Sequence, residues 1–118
     1  TKTYTAMAFP PDPGNYVTGT LCRGLNPMHM GEHLHPFKAP APGVLDVVLT
    51  GYMGDWDLAI RDSDGDNAGE SGSNAMPPVT PGDEEAVVKV KRAADFTIVA
   101  CNWGGGPTAT VKLTFTFA

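Results

Sequence analysis

The last twelve residues, "PTATVKLTFTFA", alternate strictly: Val111, Leu113, Phe115 and Phe117 are apolar, and Thr110, Lys112, Thr114 and Thr116 stand between them. A period of two is the mark of a strand with one buried face, so this segment is read as a strand with the four apolar residues inward. The same rule applied to "EAVVKVKR" puts Ala86, Val88 and Val90 on one face, and in "DFTIVAC" it selects Phe96, Ile98 and Ala100. In "GVLDVVLTGY" the inward set is Leu45, Val47 and Leu49, and in "DWDLAI" it is Trp56, Leu58 and Ile60, which turns Asp55 and Asp57 outward. "TYTAMAF" and "YVTGTLC" are shorter strand candidates, separated by "PPDPGN", whose prolines and glycine end one strand and turn the chain.

No helical period interrupts these segments, and 14 Gly with 11 Pro suit many strands joined by turns. At 118 residues the chain has room for one core and not for two. The predicted fold is therefore a single all-β domain over residues 1–118, a two-sheet antiparallel sandwich of seven or eight strands. Two long stretches, Arg23 to Gly43 and Asp62 to Asp83, are expected to be irregular, and long loops in compact domains tend to carry function.

A net charge of −5 with only 8 Lys plus Arg leaves no basic stripe for a phosphate backbone, so nucleic acid is excluded as an expected partner. No apolar run is long enough for a membrane-spanning helix. A start at Thr1 without Met is what processing of a precursor, or a chosen boundary, would leave. Cys22 and Cys101 form an even pair in a turn-rich chain, which suits a secreted domain with one bridge. Two buried free thiols and shared metal ligation are the alternatives.

"DWDLAIRDSDGDNAGE" gathers five Asp and one Glu around a single Arg61. Asp62, Asp64 and Asp66 stand two apart in a Gly-containing loop, a spacing that lets a turning backbone aim alternate carboxylates at one point, and calcium is the natural occupant. Asp55, Asp57 and Glu70 are added as ligands that reach the same point if the loop folds back. An EF-hand is ruled out, because Asn67 stands where Gly is needed and Ser73 where a bidentate Glu belongs. The competing account is a solvated acidic turn.

All three histidines, His29, His33 and His35, cluster with Met28 and Met30 in "MHMGEHLH". Imidazole suits copper or zinc and thioether suits Cu(I). The alternative is a polar surface loop in which the methionines and Leu34 cover part of the sandwich. Trp103 in "NWGGGP" either stacks on a ligand at a loop tip or packs over a hairpin end. Ser71 and Ser73 do not form a nucleophile elbow with any histidine, so the reading is non-catalytic.

From Val44 to Ala118, roughly two thirds of the chain, the sequence resembles the bacterial pre-peptidase C-terminal domain family. "GVLDVVLTGYMGDWDLAIRDSDGD" is similar to that family's strand, Asp-x-Asp-Leu strand and D-x-D-G turn, and "EEAVVKVKRAADFTIVACNWGGGPTATVKLTFTF" to its closing three strands. The family's Pro-Gly before the penultimate strand is replaced here by "KRAAD", and Cys22 to Gly43 has no counterpart. The resemblance implies a jelly-roll-like, secreted, non-catalytic domain, often calcium-dependent. The expected partner is an extracellular polymer, protein, cell surface or parent enzyme. A self-assembling subunit of an extracellular filament or surface layer, paired through edges such as "TKTYTAMAF", is the alternative, and a copper- or zinc-binding protein is a further one.

Overall fold

The computed structural model describes residues 1–8, 31–54, 56–71, 84–102, 104 and 106–118. Eight strands make up the described chain: β1 (Lys2–Met7), β2 (Glu32–Ala39), β3 (Gly43–Thr50), β4 (Trp56–Asp62), β5 (Asn67–Ser71), β6 (Glu84–Val90), β7 (Ala94–Asn102) and β8 (Thr108–Phe117). They form two four-stranded antiparallel sheets, ordered β1-β8-β3-β6 and β2-β7-β4-β5. Within them β1 pairs with β8, β2 with β7, β3 with β6 and β4 with β5. The chain is thus one long hairpin rolled into a sandwich with the β4–β5 turn at its tip, which is the jelly-roll wrap.

The core is the set that the alternation selects. Leu45, Val47, Leu49, Trp56, Leu58, Ile60, Ala86, Val88, Val90, Phe96, Ile98, Ala100, Val111 and Leu113 are all buried and share one cluster. A second, smaller cluster of Ala59, Val99 and Cys101 sits on the opposite face of the β2-β7-β4-β5 sheet, so β4 and β7 are buried on both faces at their centres.

Three expectations need correction. The stretch Arg23 to Gly43 is not irregular throughout, because it contains β2. There His33, His35 and Phe37 alternate with the exposed Leu34, Pro36 and Lys38. Pro36 is tolerated because β2 is an edge strand. Likewise Asp62 to Asp83 contains β5, which forms as the return limb of the Asp62–Asp66 turn. Finally, Phe115 and Phe117 do not follow Val111 and Leu113 into the core: Phe115 is half-buried and Phe117 is 63% exposed. The reason is register. β1 covers β8 only as far as Leu113, which lies opposite Lys2. The strand candidate "YVTGTLC" lies outside the described residues.

Candidate functional site

Among the described residues, two places gather chemistry-bearing side chains. The first is the turn between β4 and β5. Gly65 N–H donates to Asp62 O at 3.0 Å and Asp62 N–H to Asp66 O at 3.0 Å, and Gly65 has φ of 82°, the left-handed conformation that glycine adopts without strain. This is a tight turn followed by a bulge, the geometry that a D-x-D-G sequence favours. The carboxylate of Asp62 braces it: Oδ1 accepts the backbone N–H of Asp64 and of Asp66, each at 2.9 Å. As a result Asp62, Asp64 and Asp66 each offer a carboxylate oxygen within 4.8 Å of the others. Oxygens bound to one calcium at 2.3 to 2.6 Å can stand at most about 5 Å apart, so the spacing is compatible with a shared cation. Asp64 and Asp66 are exposed and Asp62 is half-buried, leaving the remaining coordination to water and backbone carbonyls.

Of the other expected ligands, Asp57 is not brought to this point. Asp57 lies five residues back along β4, about 17 Å at 3.3 Å per residue, and pairs with Cys101 at the far end of the strand. The backbone of Glu70 pairs with that of Ala59 on the return strand. Asp55 lies outside the described residues.

The second place is the seam where β1, on one sheet edge, faces β2, on the other. His33 and His35 project toward it from β2. The Tyr4 ring stacks on His35, with centroids 4.1 Å apart and planes 16° from parallel, and meets His33 at 5.5 Å and 30°. Burial lowers the pKa of His33 below the ordinary imidazole value. His35 is lowered by burial, then by the positive charge of Lys2, then by His33. Burial also raises the Tyr4 phenol well above its usual range. The two imidazoles are therefore side chains of a strand packed against a tyrosine, in surroundings that favour the neutral form, rather than members of a polar surface loop. They supply two nitrogen donors; the third histidine, His29, lies outside the described residues, as do Met28 and Met30.

The described chain also places residues that sequence reasoning missed. Asn102, buried at the end of β7, donates through Nδ2 to Ala8 O and to Gly106 O, both at 2.8 Å, and its backbone N–H donates to Gly31 O at 2.7 Å. Trp56 Nε1 donates to the same Gly106 O at 3.2 Å. On the outer face of the other sheet, Asp46 of β3 hydrogen-bonds to Glu85 of β6, and that bond, with the Asp46 charge, raises the Glu85 pKa. Cys101 Sγ lies 3.9 Å from Glu32 Oε2, both buried. The expected bridge to Cys101 has its other end, Cys22, outside the described residues, and so does Trp103.

No helix among the described residues is long and apolar enough to cross a membrane. Compared with known proteins, the chain matches no family model and no curated protein.

Proposed function

We propose that this jelly-roll domain is a secreted, non-catalytic binding or accessory module, attached to an extracellular polymer, a cell surface or a parent enzyme and stabilised by calcium in the β4–β5 turn. The proposal includes the kinship with pre-peptidase C-terminal domains, which rests on the strand and D-x-D-G pattern quoted above. One observation carries it: three carboxylate oxygens, from Asp62, Asp64 and Asp66, converge within 4.8 Å at the tip of the rolled hairpin. Like charges held this close repel one another, and a divalent cation converts that repulsion into attraction.

Asp64 is the position that tests the reading, because Asp62 also braces the turn through its hydrogen bonds. Cation binding to the folded state alone raises stability by about 1.4 to 2.7 kcal/mol at ten to a hundred times Kd. Extracellular modules bind calcium with Kd on the order of 10⁻⁴ to 10⁻³ M. Millimolar calcium should therefore raise the melting temperature of the wild type, and Asp64→Ala should lose most of that response. The reading fails if sodium chloride of equal ionic strength reproduces the calcium shift in both proteins.

A further inference from the structure

Tyr4, His33 and His35 form a cluster that calcium in the acidic turn does not involve. β1 is an edge of one sheet and β2 an edge of the other, so these side chains meet where the two layers come together. His33 and His35 stand two apart on β2 and share a face, with Cα atoms about 6.7 Å apart along an extended strand. Tyr4 covers both: its ring plane is 16° from that of His35 and 30° from that of His33. Side chains already held by packing lose little freedom when they take a ligand. All three are half-buried, which leaves a small ion a way in from solvent.

Two polar atoms of the cluster have no partner in the protein. His33 Nδ1 and Tyr4 Oη are each buried without a hydrogen bond, and folded proteins keep few such atoms unless an ion or a water serves them. A metal that takes His33 Nδ1 therefore breaks no protein hydrogen bond. The surroundings select the ion. Glu32 is the only carboxylate on β1 or β2, and it lies on the other face of its sheet beside Cys101. Calcium, which takes oxygen ligands, is thus poorly served by these two strands. Imidazole suits copper and zinc, and at a given nitrogen and oxygen site copper(II) binds tightest of the divalent first-row metals. Zinc sites draw three or four ligands from the protein, whereas two imidazoles completed by water fit the tetragonal nitrogen and oxygen set of copper(II).

We propose that His33 and His35 bind one copper(II) ion at the β1–β2 seam, with Tyr4 as the packed wall that fixes both imidazoles and water as the remaining ligands. The Tyr4 hydroxyl, which has no protein partner, is available to a water on the ion. With two protein ligands the ion is exchangeable, so the seam carries copper rather than needing it to fold. The site is separate from the acidic turn and does not depend on calcium there. One force opposes it: the charge of Lys2 reaches His35 and repels a dication.

The test is a titration of the untagged chain with copper(II) against a competing chelator, with amide NMR recorded in parallel. One ion should bind per chain, and its paramagnetism should broaden the amides of residues 33–35 and of Tyr4 ahead of those of Asp62, Asp64 and Asp66. His33→Gln and His35→Gln should each weaken binding about tenfold or more, since loss of an outer-shell partner alone costs that much. Lys2→Ala should tighten it, and Asp64→Ala should leave it unchanged. Nickel and zinc should bind more weakly than copper. Wild-type affinity in the double variant His33→Gln, His35→Gln would overturn the proposal. So would broadening centred on the acidic turn, loss of copper in Asp64→Ala, or zinc bound more tightly than copper. The broadening is read on the wild type, so it decides the matter even where a variant fails to fold.

Discussion

Replacing Asn102 tests how the end of the sandwich opposite the acidic turn is held. Its amide bridges two chain segments far apart in sequence, the residue after β1 (Ala8) and the β7–β8 connection (Gly106), which also meet where Ala8 N–H donates to Pro107 O at 3.0 Å, and its backbone holds Gly31 at the entry to β2. In Asn102→Ala both side-chain hydrogen bonds go, at about 1 kcal/mol each. Gly106 O keeps the Trp56 indole as a donor, whereas Ala8 O loses the side chain that serves it, adding a desolvation cost on the order of 1 kcal/mol or more. The expected loss is about 2 to 4 kcal/mol, a large share of the 5 to 15 kcal/mol that typically separates folded from unfolded domains. Asn102→Asp keeps the shape but aims a carboxylate at two carbonyl oxygens, so it should cost more than alanine. Urea unfolding followed by fluorescence measures both, and an unchanged slope with denaturant shows that only stability moved. The reasoning is refuted if alanine costs less than about 1 kcal/mol, or if aspartate is the milder change.

Two further outcomes are expected. The lowered pKa values of His33 and His35 mean that their contribution is complete above the unfolded imidazole value, about pH 6.5, and is lost as the pH falls through the lower folded values, since the unfolded chain takes up protons that the folded one resists. The double change His33→Gln, His35→Gln should therefore flatten the decline of stability between about pH 7 and 5, and an unaltered slope in urea unfolding at a series of pH values would discount the pair. Closure of the long loop from Cys22 to Cys101 by a disulfide would add about 4 to 5 kcal/mol in the chain-entropy model; mass spectrometry should find neither thiol alkylated until reductant is added.

What could be read in the sequence was whatever repeats locally. Five strands announce themselves by alternation because each carries its own buried face, as Leu45, Val47 and Leu49 do on β3, and β1 stands out only as a shorter candidate. β5 does not, since "NAGES" holds no β-branched or aromatic residue and is recruited by the turn before it. β2 was hidden by Pro36 and by charged ends, Glu32 and Lys38, that belong to an edge rather than to a central strand. The Asp62, Asp64, Asp66 spacing was legible for the same local reason, because three residues of one turn need no tertiary partner to come together. Asp57 misled because proximity in sequence along an extended strand means distance in space. The Tyr4–His35 stack and the Asn102 bridges join residues far apart in the chain, and no local pattern encodes which of them meet. The exposure of Phe117 was equally invisible, because it depends on where β1 ends and not on β8 itself.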